Sequence, residues 1–168
     1  EKKIISSADE LTCVSNGFIK LLKKNLDVTF NLLPNGYDPD DFTGVKKQPG
    51  NKFRIVYLGS IATSQNPENL FISLHYLPEN IKTYLDINFY GIFDTEVIKC
   101  AESCGNLVKF HPYIPHSEAV DKMVNSEMLI LLIPKNSKGI ITGKLFEYMA
   151  THNFILAISP EESEIGHI

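Results

Sequence analysis

Met128-Leu-Ile-Leu-Leu-Ile133 is six apolar residues in a row with no polar member. A strand with one wet face alternates apolar and polar residues, so an uninterrupted run of this length belongs to a strand buried on both faces. In a parallel sheet that burial comes from crossover helices, and the chain after Gly50 carries their signature. Phe53-Arg-Ile-Val-Tyr-Leu58 reads as a strand that runs into Gly59-Ser60. Asn66-Pro67 opens a helix with Pro at its first helical position and Glu68 in its first turn, and Leu70, Phe71, Leu74 and Leu77 share one face. Leu85-Asp-Ile-Asn-Phe-Tyr90 alternates and ends at Gly91, a helix is predicted over 94–104, and Leu107-Val-Lys-Phe110 is a third strand. Residues 116–125 form a helix carrying Ala119, Val120 and Met123. Beyond the apolar run, a loop of Pro, Lys, Asn, Ser and Gly leads to a helix over 142–151 and then to the strand Phe154-Ile-Leu-Ala-Ile158.

Five strands alternating with four helices predict the α/β class, with a Rossmann-like, doubly wound parallel sheet. Right-handed crossovers then give the strand order 3-2-1-4-5. The ligand crevice of such a sheet lies at the carboxyl ends of its first and fourth strands. Here those ends are Gly59-Ser60 and the loop that precedes the 142–151 helix.

The first fifty residues follow a different pattern. Leu11–Ser15 is a short strand-like run. Asn16 is a helix N-cap before Phe18, Ile19, Leu21 and Leu22, and Lys23 and Lys24 close that helix with the charge its C-terminus prefers. Thr29–Leu33 reads as another strand. Pro34-Asn-Gly-Tyr-Asp-Pro39 stacks turn formers and cannot extend it. The expected organisation is a piece over 1–33, a linker over 34–50 and a domain over 51–168. The chain starts at Glu1 without Met and stops at Ile168 after a polar loop, so the reading expects a fragment of a longer protein, truncated at both ends.

Composition removes several function classes. A net charge of -4 gives no electrostatic footprint for nucleic acid. Of sixteen basic residues only Arg54 is an arginine, so bidentate anion clamps are scarce and lysines or backbone amides must replace them. Cys13, Cys100 and Cys104 form no disulfide framework and suit a reducing compartment. The five histidines do not pair with cysteine at zinc spacing, and no metal is expected. No apolar run approaches the roughly 18 residues of a membrane span, and the expected location is the cytoplasm or the inner face of a membrane.

Gly139-Ile-Ile-Thr142-Gly143-Lys144-Leu-Phe-Glu147 is the segment richest in chemistry. Thr142 is a natural N-cap, Gly143 leaves the first amides open to an anion, and Lys144 adds positive charge, which together suit a phosphate at a helix N-terminus. It is not a Walker A loop, because the glycine spacing is one residue short and Leu145 stands where Ser or Thr would ligate magnesium. Glu147 shares the helix face of Gly143 and can accept hydrogen bonds from ribose hydroxyls. A solvated surface helix would carry the same residues. Its place at the switch point of the sheet favours a ligand. Gly59-Ser60 suits a close backbone approach from the opposite strand and, taken alone, equally suits a plain turn.

Ala8-Asp9-Glu10-Leu-Thr-Cys-Val-Ser15, then Leu33-Pro-Asn-Gly-Tyr-Asp38 and Phe42, followed by Val56-Tyr-Leu-Gly59-Ser60 and Lys144-Leu-Phe-Glu147-Tyr-Met-Ala150, resembles in order the GT-B glycosyltransferases of the family 4 type. The resemblance spans nearly the whole chain. It implies the end of an N-terminal acceptor domain, the interdomain linker and the C-terminal donor-binding domain, with most of the acceptor domain missing. It implies a retaining transfer from a nucleotide-diphosphate sugar of UDP or GDP type, with no further cofactor, to a carbohydrate or lipid-linked acceptor in bacterial cell-surface polysaccharide synthesis. The isolated piece would bind nucleotide without transferring sugar, and the full protein would associate peripherally with a membrane. By position, the resemblance puts Glu147 on the ribose, Thr142, Gly143 and Lys144 on the diphosphate, Gly59 and Ser60 across from them, and Tyr113 and Ile114 near the base.

Two departures from the family pattern stand out. The family often places an acidic residue eight positions before the ribose glutamate, which falls here on Gly139. It also often has Arg and Lys after the first-strand glycine, and Ser60-Ile-Ala-Thr-Ser-Gln-Asn66 has neither, which leaves Lys144, Lys138 and amides to meet the diphosphate. His111 and His116 flank a Pro-rich turn as further candidates, His116 serving equally as a helix-start residue. Cys100 and Cys104 are expected to pack, and His152 to complement a helix C-terminus. Two other readings stay open. One is a non-catalytic α/β nucleotide-binding or regulatory domain, and the other is a sugar-nucleotide epimerase of the same two-domain plan.

Overall fold

The computed structural model describes residues 2–24, 27–134, 139, 141–160 and 163–167. A short helix α1 (Lys2–Ile5) leads to β1 (Thr12–Cys13), α2 (Asn16–Lys23) and β2 (Asn31–Leu32), and then to a 3-10 helix at Pro39–Phe42. The main body follows as β3 (Phe53–Leu58), α3 (Glu68–His75), α4 (Glu79–Lys82), β4 (Leu85–Tyr90), α5 (Thr95–Ala101), β5 (Val108–His111), α6 (His116–Val124), β6 (Met128–Leu132), α7 (Gly143–Ala150) and β7 (Phe154–Ile158). The strands form one parallel sheet in the order β5-β4-β3-β6-β7, which is the expected 3-2-1-4-5. β1 and β2 pair with each other in a separate two-stranded parallel ladder.

The apolar run behaves as its composition demands. Leu129, Ile130 and Leu131 are each at most 1% exposed, with neighbours on both faces of the sheet. One face packs Ile55, Tyr57, Ile87 and Phe89 against Phe71 and Leu74 of α3 and Val97 of α5. The other packs Val56, Leu58, Leu129 and Leu131 against Met123 of α6 and Leu145 and Tyr148 of α7. Phe89 anchors the first face, with ring centroids 5.4 Å from Tyr57 and Phe110 and 5.8 Å from Phe71, spacings at which aromatic pairs gain beyond area burial.

Several local expectations shift. Ser15, not Asn16, caps α2: its Oγ accepts the Phe18 N–H at 3.2 Å, and Asn16 is already helical. Pro67 is the residue before α3 rather than its first helical residue. The helix expected over 94–104 is α-helical only to Ala101, then tightens into a 3-10 stretch broken at Gly105, whose φ is +56°. That stretch absorbs Leu107, so the third strand starts one residue later. The strands expected over 11–15 and 29–33 shrink to two residues each. Among the described residues each has only the other to pair with, and a lone two-stranded ladder gains little in water.

Several contacts tie the first fifty residues to the main body. Ser15 is buried, and its Oγ donates to the Gly139 carbonyl at 2.6 Å. Backbone meets backbone there, since a Cβ added to Gly139 would lie 2.6 Å from the Gly17 Cα. Further along, Lys47 Nζ donates to the Ser126 carbonyl at 2.6 Å and to Asn153 Oδ1 at 2.9 Å, and the Gln48 N–H donates to Asn125 Oδ1 at 2.7 Å. Arg54 donates to the Gln48 carbonyl at 2.9 Å and holds Glu127 through its own backbone N–H, Nε and NH2. Among the described residues no helix is long and apolar enough to cross a membrane.

Candidate functional site

β3 and β6 lie side by side at the centre of the sheet, and their crossovers leave in opposite directions. The space beyond their carboxyl ends is therefore free of covering backbone, as at any switch point. A cleft of about 170 Å³ opens there, lined by Leu58 of β3, Gly59 directly after it and Tyr90 of β4. Tyr113 and Ile114, which follow β5, line it, as do His116, Ala119 and Met123 of α6 and Lys144 and Glu147 of α7.

Lys144 is the electrostatic centre of this cleft. Its Nζ sits 5.0 Å from the centroid of the Tyr57 ring, a cation–π distance. It also lies directly over Gly59, where any Cβ would collide with it. Gly59 has φ +134°, a backbone that favours glycine, and a Cβ there would displace the lysine tip. Burial pushes the Lys144 pKa down, and the nearby Glu147 carboxylate partly opposes that. A partly buried ammonium held in this way gains from the arrival of an anion, which restores the stability of its charged form. Tyr57 is buried, its pKa is pushed up to about 12, and its hydroxyl donates to the Ser60 carbonyl at 3.1 Å, which braces the turn after β3.

The N-terminus of α7 stands beside this cation. Thr142 has extended N-cap geometry but its side chain makes no capping bond, and its Oγ1 is buried without a hydrogen-bond partner among the described residues. A Cβ at Gly143 would meet nothing within 4 Å among the described residues. Packing therefore does not require a glycine at 143, and the open space lies where a ligand would approach the helix amides.

The structure thus gathers Gly59, Tyr113, Ile114, Lys144 and Glu147 around one cleft. Ser60 is exposed, and Ser60, Thr142 and Gly143 flank the cleft residues in sequence without lining the cleft. Lys138 lies outside the described residues. Sequence reasoning did not find Leu58, Tyr90, Ala119 or Met123, and left His116 undecided. The spacing of His116, Ala119 and Met123, three and four residues apart, was the available signal, since it puts them on one face of a helix. His111 does not line the cleft. It stacks on Tyr90 at 4.5 Å, its Nε2 donates to Asn88 Oδ1 at 2.8 Å, and burial and Lys109 hold its pKa down.

A larger depression of about 530 Å³ lies at the opposite end of the sheet, near Lys52, Lys82, Asp86 and Lys109. Its charges are largely matched internally, with Lys82 to Glu79 and Lys109 to Asp86 each at 2.7 Å. The smaller cleft holds the partly buried Lys144 at the switch point, and it is the stronger candidate.

No protein-family profile matches the chain, and no curated protein does. Solved structures do. The chain superposes on WaaG, a glycosyltransferase involved in lipopolysaccharide biosynthesis, with a TM-score of 0.66 and 17% identity over 88% of this chain and 44% of that one. It superposes on sucrose-phosphate synthase from Thermosynechococcus elongatus with a TM-score of 0.70 and 16% identity, over 93% of this chain and 42% of that one. It superposes on HepE from Anabaena, determined with UDP and glucose, with a TM-score of 0.66 and 12% identity, over 97% of this chain and 53% of that one. This is the fold of a GT-B C-terminal domain. Coverage of 97% takes in the segments before the sheet as well as the GT-B sheet itself. The chain spans about half the length, or less, of each of these glycosyltransferases.

Proposed function

We propose that this chain is the donor-binding portion of a glycosyltransferase and that its switch-point cleft takes a nucleotide-diphosphate sugar of UDP or GDP type. The observation that carries this reading is the meeting of Lys144 with Gly59 beside the open N-terminus of α7, with Glu147 in the same cleft. The resemblance in sequence order and the GT-B fold of the solved structures support it. In this reading the diphosphate meets Lys144 and the amides at Thr142 and Gly143. Gly59 and Ser60 approach it from the other side, Glu147 accepts from the ribose, and the base lies against Tyr113 and Ile114. A cleft of about 170 Å³ is smaller than the roughly 300–1,000 Å³ of pockets that enclose a drug-sized ligand. It would seat part of the nucleotide, and the sugar would extend past α7 into the open.

The chemistry follows from where charge develops. When the glycosidic bond breaks, the departing diphosphate gains negative charge, and fixed donors aimed at that position lower the barrier. Lys144 and the α7 amides are such donors, and the desolvation of Lys144 strengthens its effect on an anion beside it. We further propose a retaining transfer to a carbohydrate or lipid-linked acceptor, in bacterial cell-surface polysaccharide synthesis at the cytoplasmic face of a membrane. Residues 1–33 would close an acceptor domain, 34–50 would join the two domains, and 51–168 would bind the donor. A thermal-shift panel of UDP, GDP, ADP and their sugars tests the reading. A ligand at 100 times its Kd adds about 2.7 kcal/mol of stability. No shift with any of them at millimolar concentration would refute it.

A further inference from the structure

His116 stands at the junction of the cleft and the 34–50 segment. It is the first residue of α6, directly after Pro115, and shares the cleft wall with Tyr113, Ile114 and Met123. Its Nε2 lies 3.0 Å from Oδ2 of Asp41, which sits in the 3-10 helix Pro39–Phe42 of that segment. Both side chains are about half exposed, so the pair is reachable from solvent and adds little stability by itself. Its consequence is chemical. The Asp41 carboxylate only accepts, so Nε2 is the nitrogen that carries the proton. The polar ring atom left for the cleft is Nδ1, and in the neutral ring it is an acceptor.

The geometry points to His116 as a ligand-contacting residue for the base, with Asp41 as the positioning residue that fixes its tautomer and ring orientation. This inference rests on the nucleotide reading of the cleft. Tyr113 and Ile114 form the adjoining wall, and Glu147 enters the cleft from α7, so the ring belongs to the base side rather than the ribose side. Nδ1 therefore accepts a hydrogen bond from an N–H on the edge of the base. The segment before the sheet thereby helps to select the nucleotide through one side-chain hydrogen bond.

The test measures calorimetric affinity of the 168-residue chain for UDP, GDP and ADP. Each is paired with the analogue whose base-edge N–H groups are methylated: 3-methyluridine, N1,N2,N2-trimethylguanosine and N6,N6-dimethyladenosine diphosphate. The nucleotide that binds is also compared with its 2′-deoxy form. The wild-type chain should prefer the unmethylated ligand. His116→Ala should lose about three- to tenfold in affinity for that ligand and lose the discrimination against its methylated analogue. Asp41→Ala should show part of the same loss of discrimination, and Asp41→Asn, whose carbonyl can still accept from Nε2, should restore it. A residue that only shaped the loop would weaken both members of each pair alike. Equal losses for methylated and unmethylated ligands, or unchanged affinity in His116→Ala, would overturn the inference while leaving the nucleotide reading intact. A His116→Ala loss that vanishes with the 2′-deoxy ligand would move the contact to the ribose and overturn it too. Absence of wild-type binding to all three nucleotides would overturn the underlying reading and this inference with it.

Discussion

Glu127→Gln isolates the device that holds the segment before the sheet. Glu127 precedes β6 and accepts from the Arg54 backbone N–H at 2.7 Å, from Arg54 Nε at 3.1 Å and from Arg54 NH2 at 2.8 Å, with Lys47 Nζ at 3.6 Å. These donors hold its pKa down at about 2, the side-chain bonds to Arg54 being the main cause. Set against an ordinary glutamate, that depression has an upper bound of about 3 kcal/mol. A quarter of the side chain is open to solvent, and screening brings the expected contribution to about 1–2 kcal/mol. The folded-state pKa is depressed, so the stabilisation is fully present above about pH 4.5 and is lost as the pH falls from there towards 2. Glu127→Gln should therefore lower stability at pH 7 by about 1–2 kcal/mol, or about 2–8 °C in Tm for a chain of this size, and the gap from wild type should close between pH 4.5 and 2. Urea titrations followed by circular dichroism at pH 7, 5, 4 and 3 would measure it. Glu96→Gln, in an exposed pair with Lys99, serves as the control and should match wild type. A loss that is the same at pH 3 as at pH 7 would mean that the glutamine is disrupting packing, and the electrostatic account would be wrong.

Three further outcomes are expected. Glu147→Ala should weaken nucleoside diphosphate binding by about 1.5–3 kcal/mol, whereas Lys144→Ala should weaken diphosphate binding more than nucleoside binding, with an effect that shrinks at high salt; calorimetric titration of both variants decides this, and unchanged affinity in both would put the ligand elsewhere. Gly59→Ala strains a backbone at φ +134° and drives its Cβ into Lys144 Nζ, so it should reduce nucleotide affinity as well as Tm; a variant that melts earlier but binds normally would remove Lys144 from the site. Gly17→Ala pushes against the Gly139 backbone and should loosen the loop ahead of α7, seen as faster amide exchange at Gly139, and exchange identical to wild type would show that the contact constrains nothing.

The sheet was legible because each strand carries its own burial pattern. Residues 53–58, 85–90 and 154–158 were read with their observed bounds, since turn formers or a change of period mark both ends. The four-residue α4 escaped notice because Glu79–Lys82 is too short to show a period. Tyr90 and Met123 were missed for a different reason. They reach the cleft from β4 and α6, and only the packed sheet brings those elements beside Lys144. Lys144 and Glu147 were found because one helix carries both and the switch-point rule says where its start must lie. The pairing of His116 with Asp41 spans 75 residues, and no local pattern announces it.

The meeting of Gly17 and Gly139 also limits which sequences this fold can reach in one step. A carboxylate at 139 would have to grow from a Cα whose side-chain direction is filled by the backbone of α2. Gly139→Glu alone would drive that helix away and strip the Gly139 carbonyl of its bond from Ser15. The acid becomes accessible only after α2 has withdrawn, and the withdrawal by itself loses a buried hydrogen bond without yet adding a ligand contact. Directed evolution towards an acidic 139 would therefore have to cross a less stable intermediate, and libraries that vary 15, 17 and 139 together are the way across.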